Sequence, residues 1–567
     1  MQKSNRVLII GLDGATWDVL TPWIDDGTLP HLAKLCRAGS WGKLRSSIPP
    51  VTAPAWSTFM TGKQPGKHGV FHFIKLFDKD APQTSVNEPV IVNARSIKSS
   101  AWWDVLGHYN RQVGLINVPM TFPPRPVNGF MITGLLTPKS AVTFTYPEHL
   151  SDEITDYVID LDRFIESKPF SGGRRDSEAI VPSLSLMHEF RDMLEKRANT
   201  SLALMNSKPW DAFMVVFTGT DRMGHYLWPF HHSIDGDGMT QDPEAQRLFG
   251  AVREYYVRLD EIVGDLVKDA GEDTVVLLMS DHGMGPIYTR RVHWNNWLLE
   301  HGWLSVETNS SKGFTPDSWL RRLKLPRDKV GRILLRVPGL AKSKLVRKTA
   351  ASSTATIDTS RSKAWCVHIY NTVFGIQINA EGQEREVLRR EISQALQQVV
   401  DPETGQHIVQ HIYPGDEYYY GPYAKNIPDI IVVMDGDYTP GYRVSHYSSL
   451  VTELQAHVGH GDHRMDGIFI ASGPDIASSS GALPGLNIQD VAPTLLYLLG
   501  LPVPSDMDGR VLTEIIEARI LDSQPVQSTK PVGFWPEEDK AVFSGEAASD
   551  EDDAVLRDRL RALGYLG

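Results

Sequence analysis

The chain has 567 residues, 41% hydrophobic and 22% charged, which is ordinary globular usage and excludes a mainly disordered, collagen-like or coiled-coil protein. A net charge of −12 argues against general nucleic-acid binding, and two cysteines, Cys36 and Cys366, exclude a disulfide framework or a Cys-rich zinc site. No run reaches the ~18 apolar residues of a membrane helix. The first apolar stretch, 7–10, is too short for a signal peptide, so the expected location is cytoplasmic.

Taken in chain order, short apolar runs end in Gly and Asp. Residues 7–12 lead into Asp13-Gly14, 212–217 into Thr218-Gly-Thr-Asp221, and 274–279 into Ser280-Asp-His-Gly283. Such runs predict fully buried strands of a parallel sheet, with 429–434 and 467–471 as two further candidates. Between them, 245–269 carries Leu248, Val252, Tyr255, Leu259, Ile262 and Val263 at helical spacing. Strands alternating with helices predict an α/β fold, a central mainly parallel sheet flanked by helices. Residues 85–200, with Trp102-Trp103 and a Pro-rich turn at 119–126, are expected as an insertion forming a cap over the site edge. Residues 300–370 are expected as a second, basic insertion, which leaves 1–300 and 370–515 as the catalytic core. Residues 516–567 form an acidic tail with Ser549-Asp-Glu-Asp-Asp553, ending in an amphipathic helix at 555–563 whose apolar side docks on the body.

In open α/β sheets ligands bind beyond the carboxyl ends of the strands, and three strands deliver Asp13, Asp221 and Asp281 there. One such Asp reads as a turn former or helix cap. Three of them, two with a His one or four residues on, read as a site. Asp221 and His225, four apart, share one face of a helical turn and can share a metal ion. His282 follows Asp281 where the chain bends after a strand, and His463 stands directly before another. Three carboxylates and three imidazoles suit two divalent metal ions, Zn2+ ahead of Mn2+, rather than Mg2+ or Ca2+, which prefer all-oxygen shells. Thr52, with Pro54 behind it, reads as a helix N-cap, where a hydroxyl faces backbone N–H groups suited to an anion. Bound to a metal, that hydroxyl becomes a nucleophile; the plain alternative is a capping threonine.

These segments resemble the alkaline phosphatase superfamily. Within it they are similar to the type I phosphodiesterase/nucleotide pyrophosphatase branch and to the group described as predicted phosphohydrolase/phosphomutases. The resemblance is carried by Gly11-Leu-Asp-Gly14, Pro50-Val-Thr-Ala-Pro-Ala-Trp56, Thr61-Gly-Lys-Gln-Pro-Gly-Lys-His-Gly69 and Thr220-Asp-Arg-Met-Gly-His225. Further along it continues through Ser280-Asp-His-Gly-Met-Gly285, His463-Arg-Met-Asp-Gly-Ile-Phe-Ile-Ala-Ser-Gly-Pro474, Asp490-Val-Ala-Pro-Thr-Leu-Leu496 and Leu560-Arg-Ala-Leu-Gly-Tyr-Leu566. It implies a metal-dependent phosphoric ester hydrolase acting on a small-molecule phosphodiester or phosphomonoester. One metal would be held by Asp221, His225 and His463, the other by Asp13, Asp281, His282 and Thr52. Thr52 would form a covalent phospho-threonine that a metal-activated water hydrolyses. His460 competes for the role of His463, and the His-Arg-x-x-Gly pattern favours His463.

The chain departs from the resemblance at one place. Nucleotide pyrophosphatases carry an Asn shortly after the His-Gly pair for phosphate binding, whereas this chain reads His68-Gly-Val-Phe-His72-Phe-Ile-Lys75. The contact is left to His72, Lys75 or the Thr52 backbone. Thr52-Ala-Pro-Ala-Trp56 also lacks the Cys or Ser followed by x-Pro-x-Arg of sulfatases. Two rival functions stay open, a phosphomutase on the same metal site and a non-catalytic binder of phosphorylated ligands.

Residues 321–348 hold eleven Lys or Arg against Asp328. The segment reads as a contact for an anionic membrane surface or as a cap with a solvated basic face, and Pro326 and Pro338, which interrupt any continuous helix, favour the cap. Tyr418, Tyr419, Tyr420 and Tyr423 read equally as pocket lining or packing. The sequence sets no oligomeric state.

Overall fold

The computed structural model describes residues 6–76, 90–154, 156–161, 184–231, 243–307, 356–425, 427–444, 449–454 and 461–536, together with 552, 554–557 and 560. The basic stretch 321–348, His460 and, within the acidic tail, 537–551, 553, 558–559 and 561–567 lie outside the described residues.

Nine strands make the central sheet: β1 (Arg6–Leu12), β2 (Ser40–Arg45), β3 (Val113–Val118), β4 (Gly129–Thr133), β5 (Thr145–Tyr146), β6 (Ala212–Phe217), β7 (Thr274–Met279), β8 (Asp466–Ser472) and β9 (Leu483–Asn487). Their order is β9-β2-β8-β7-β1-β6-β3-β4-β5. At its centre β1 runs parallel to both neighbours, with Ile9 opposite Met214 on one side and Leu277 on the other. All strands but β5 and β8 share this direction. Every residue of β6 and β7 is buried, and every residue of β1 after Arg6, because helices cover both faces of the sheet. The periodic segment near 245–269 is one long helix, Pro243–Ala270, packed on helix Leu184–Ser207.

The fold is thus the expected α/β architecture, a central mainly parallel sheet flanked by helices. Three elements differ from expectation in instructive ways. First, β8 is antiparallel to β7 and β2. A continuous apolar run reports burial on both faces and carries no direction. The reversal has a use, since β8 begins at the edge where β1, β6 and β7 end.

Second, Ile430–Met434 lies outside the central sheet. It belongs to a four-stranded antiparallel sheet ordered Ala364–Tyr370, Val373–Ile378, Ile430–Met434, Val409–Pro414. That sheet has its own core around Trp294, Phe374, Ile392 and Val432. Third, within 85–200, expected over the site edge, β3 and β4 pair in the central sheet itself. Gly114 and Asn117 break up the β3 apolar run and hide it from pattern reading. Near the C-terminus, Leu556 and Leu560 are buried in the main core. No helix among the described residues is long and apolar enough to cross a membrane.

Candidate metal centre

Because β1, β6 and β7 are parallel neighbours, whatever follows them meets at one edge. Asp13 follows β1 directly. Gly14 then turns with φ +67°, and a Cβ there would stand 2.9 Å from the Asp221 Cα, so only glycine lets the two segments approach this closely. Two helices frame the edge, α1 (Thr52–Thr61) and α2 (Gly219–Leu227). Asp221 lies in the first turn of α2, with His225 one turn on. Asp281 and His282 follow β7. His463 lies on the short strand Gly461–Arg464, which pairs antiparallel with Gly283–Pro286, just before β8. Thr52 is the first helical residue of α1, with Val51 as its cap, one position from the expected N-cap and within the usual spread of helix ends.

All seven sequence-predicted site residues are brought together, and all are buried. The Nε2 atom of His225 lies 3.0 Å from that of His463, and Oδ1 of Asp221 lies 3.4 Å from the former and 3.3 Å from the latter. Nε2 of His282 stands 3.3 Å from Asp281 Oδ2, 3.7 Å from Asp13 Oδ1 and 3.3 Å from the Thr52 hydroxyl. Candidate ligand atoms of Asp13, Asp281 and His282 all lie within 4.8 Å of one another, as do those of Asp221, His282 and His463, so His282 stands between the two groups.

The hydrogen bonds around the cluster sort each side chain into an anchored end and an end aimed inward. Nδ1 of His225 faces the Gly461 carbonyl at 3.3 Å, that of His463 the Pro50 carbonyl at 2.8 Å, and that of His282 the Gly283 carbonyl at 3.0 Å. A proton held on Nδ1 by a carbonyl leaves the Nε2 lone pair pointing into the cluster, as in histidines that bind metals. The carboxylates repeat the pattern. Trp56 Nε1 donates to Asp13 Oδ2 at 3.1 Å, Arg222 Nη1 to Asp221 Oδ2 at 3.0 Å, and the Gly14 amide to Asp281 Oδ1 at 3.2 Å. The other oxygen of each, Asp13 Oδ1, Asp221 Oδ1 and Asp281 Oδ2, is buried with no hydrogen-bond partner among the described residues.

Charge behaves accordingly. Burial, then repulsion from Asp281 and Asp221, raises Asp13 well above the usual carboxylate range. Asp281 is raised by burial and then by Asp221. For Asp221 burial works upward, but the imidazoles of His225 and His463 outweigh it and hold the carboxyl well below its usual range. Buried acids this close repel one another and call for positive charge, which a divalent cation supplies. The N/O donor set and the three orphaned oxygens fit such cations.

Sequence reading missed the residues that hold this arrangement. Arg222 binds Asp221 and also reaches Asp160 Oδ2 at 2.7 Å, with both partners buried. Trp56 stands one turn after Thr52 on α1. Both lie inside the quoted motifs, so adjacency was a usable signal. Asp462 accepts from the His463 amide at 2.8 Å, from the Tyr370 hydroxyl at 2.7 Å and from Asn371 Nδ2 at 2.9 Å. Tyr370 and Asn371 come from the second sheet, and no local pattern links them to the centre. Of the four tyrosines 418–423, Tyr419 is buried and donates to the Ile48 carbonyl, while Tyr420 and Tyr423 are exposed.

The sequence model of the family described as type I phosphodiesterase/nucleotide pyrophosphatase matches residues 7–466. Among solved structures, phosphonoacetate hydrolase from Sinorhizobium meliloti 1021, in complex with phosphonoacetate, is similar with a TM-score of 0.46 and 14% identity, over 88% of this chain and 96% of that one. Human ectonucleotide pyrophosphatase/phosphodiesterase 5 is similar with a TM-score of 0.44 and 15% identity, over 90% and 100%. No curated protein matches the chain by sequence.

Proposed function

The chain belongs to the type I phosphodiesterase/nucleotide pyrophosphatase family, whose chemistry is phosphoester hydrolysis. From that premise we propose a dinuclear-metal phosphohydrolase that cleaves a small phosphodiester or phosphomonoester through a covalent phospho-threonine at Thr52. The observation that carries the reading is the convergence of three orphaned carboxylate oxygens and three imidazole Nε2 atoms beside one buried hydroxyl. Asp221, His225 and His463 would hold one ion, and Asp13, Asp281, His282 and Thr52 the other. Bound there, divalent ions would acidify the threonine hydroxyl and neutralise phosphate charge. The mixed nitrogen and oxygen donors favour zinc ahead of manganese.

The protein's own part is orientation. Thr52 opens α1, where helix amides and dipole favour a phosphate. Its oxygen bonds to phosphorus as the bond to the leaving oxygen breaks, and that oxygen departs with a proton. Water then breaks the bond from the threonine oxygen to phosphorus, restoring the hydroxyl and releasing phosphate from a monoester substrate or a phosphomonoester from a diester. Trp56 and Arg222 hold the outer carboxylate oxygens still throughout.

The test is hydrolysis of bis-p-nitrophenyl phosphate against p-nitrophenyl phosphate by protein stripped of metal and reloaded with zinc or manganese. Thr52→Ala should keep its fold and two metals while turnover falls by at least about 10³-fold. Retained activity in that variant removes Thr52 from the mechanism. Conversion of a phosphomonoester to an isomer with release of neither phosphate nor alcohol makes the protein a mutase, and absence of turnover on any ester makes it a binder.

A further inference from the structure

His72 lies just after the short helix Pro65–His68 and is 1% exposed. Neither of its ring nitrogens has a hydrogen-bond partner among the described residues. Every histidine of the metal centre anchors Nδ1 on a backbone carbonyl. His68, four positions earlier, uses both nitrogens, with Nδ1 accepting from the Val70 amide and Nε2 facing Thr58 Oγ1. A neutral imidazole carries one donor and one acceptor, and buried polar groups are almost always satisfied. An interior ring with both positions open is therefore shaped for something that arrives.

Its surroundings say what arrives. The His72 ring is 6.1 Å from that of Tyr370, which is 5.6 Å from the ring of His463. Tyr370, from the second sheet, thus links His72 to the imidazole cluster by two successive ring contacts. Burial first, then the neighbouring imidazoles of His368 and His463, pushes His72 down to about 3, so the ring is neutral at physiological pH. A neutral N–H does not compete with cations for space or charge, yet it strengthens as negative charge builds on an oxygen facing it. Lys75, the other side-chain candidate for a phosphate contact, is exposed.

We infer that His72 donates its ring N–H to a phosphoryl oxygen of the bound ester. The inference rests on reading the centre as a phosphate-ester site. It gives His72 a role in binding and in the transition state, with none in holding metal.

Full-length, metal-loaded protein is compared with His72→Phe, which fills the space without a donor, and His72→Gln, which restores one. Metal content, the affinity for inorganic phosphate by calorimetry, and kcat and KM for bis-p-nitrophenyl phosphate are measured. His72→Phe should keep both metals, bind inorganic phosphate about tenfold or more weakly and lose about 10²–10³-fold in kcat/KM, with His72→Gln recovering part of both. Unchanged phosphate affinity in His72→Phe, or equal impairment in His72→Gln, overturns the inference. In the wild-type protein, inorganic phosphate should shift the ring nitrogen resonances of His72, and unmoved resonances overturn the inference without any variant. If wild-type protein turns over no ester, the hydrolase reading fails, while phosphate affinity and the resonance shift still decide His72.

Discussion

Both sheets bury acids, and they treat them in opposite ways. In the second sheet, Asp429 accepts from the Ile378 amide at 2.6 Å, from Gln377 at 3.0 Å and from Arg385. Beside that sheet, Asp401, in the segment leading to strand Val409–Pro414, pairs with Arg290 at 2.6 Å and accepts from the Glu403 amide at 2.8 Å and Tyr438 at 3.1 Å. Both oxygens of each are satisfied. At the edge of the central sheet, Asp13, Asp221 and Asp281 are equally buried, yet each keeps one oxygen without a hydrogen-bond partner among the described residues, facing the imidazoles instead. A buried acid is thus no sign of function by itself. The sign is a carboxylate held firmly by one oxygen and left open at the other, three times over, in one place.

The sharpest way to break this contrast is Asp281→Asn. Activity should fall by more than the ~100-fold that loss of an outer-shell partner produces. The metal-stripped variant should nevertheless melt higher than the stripped wild type at alkaline pH, because a strained buried charge is gone. Lower melting instead would mean that Asp281 is structural. Arg222→Met comes next: it frees the outer oxygen of Asp221, and metal affinity by competition with a chelator should drop about 10–100-fold.

In the second sheet the expected loss is of another kind. Asp429→Ala leaves the Ile378 amide unsatisfied and should lower stability by about 1–3 kcal/mol in denaturant titration, with kcat per folded molecule unchanged. Smallest is a pH effect at the base of α1. His68 is pushed down to about 3 by burial and then by Lys63, and its Nδ1 accepts from the Val70 amide, so protonation breaks a bond. Its contribution is complete above pH 6.5 and is lost as pH falls towards 3. The melting temperature of metal-stripped protein should therefore decline less steeply from pH 7 to 4 in His68→Gln, and equal slopes would count against it.

Much of the site was legible because its logic is local. Apolar runs ending in Asp-Gly mark strand ends, and parallel strands end together, so Asp13, Asp221 and Asp281 could be gathered without coordinates. His225 and His282 come with their acids. What stayed hidden depends on pairing. The direction of β8 and the membership of Ile430–Met434 in another sheet are set by partners far along the chain, and an apolar run names no partner. Asp160, which holds Arg222, and Tyr370, which holds Asp462, reach the centre from segments with no motif of their own.

The reversed strand has a consequence for how the protein is made. The bond from His463 to the Pro50 carbonyl spans 413 positions, and the strand that carries His463 leads directly into β8, which pairs with β7 and β2. A growing chain presents Asp13 and Thr52 early and the last imidazole very late. A chain cut short before Gly461 would therefore carry Thr52 and five of the six other candidate ligands but lack His463.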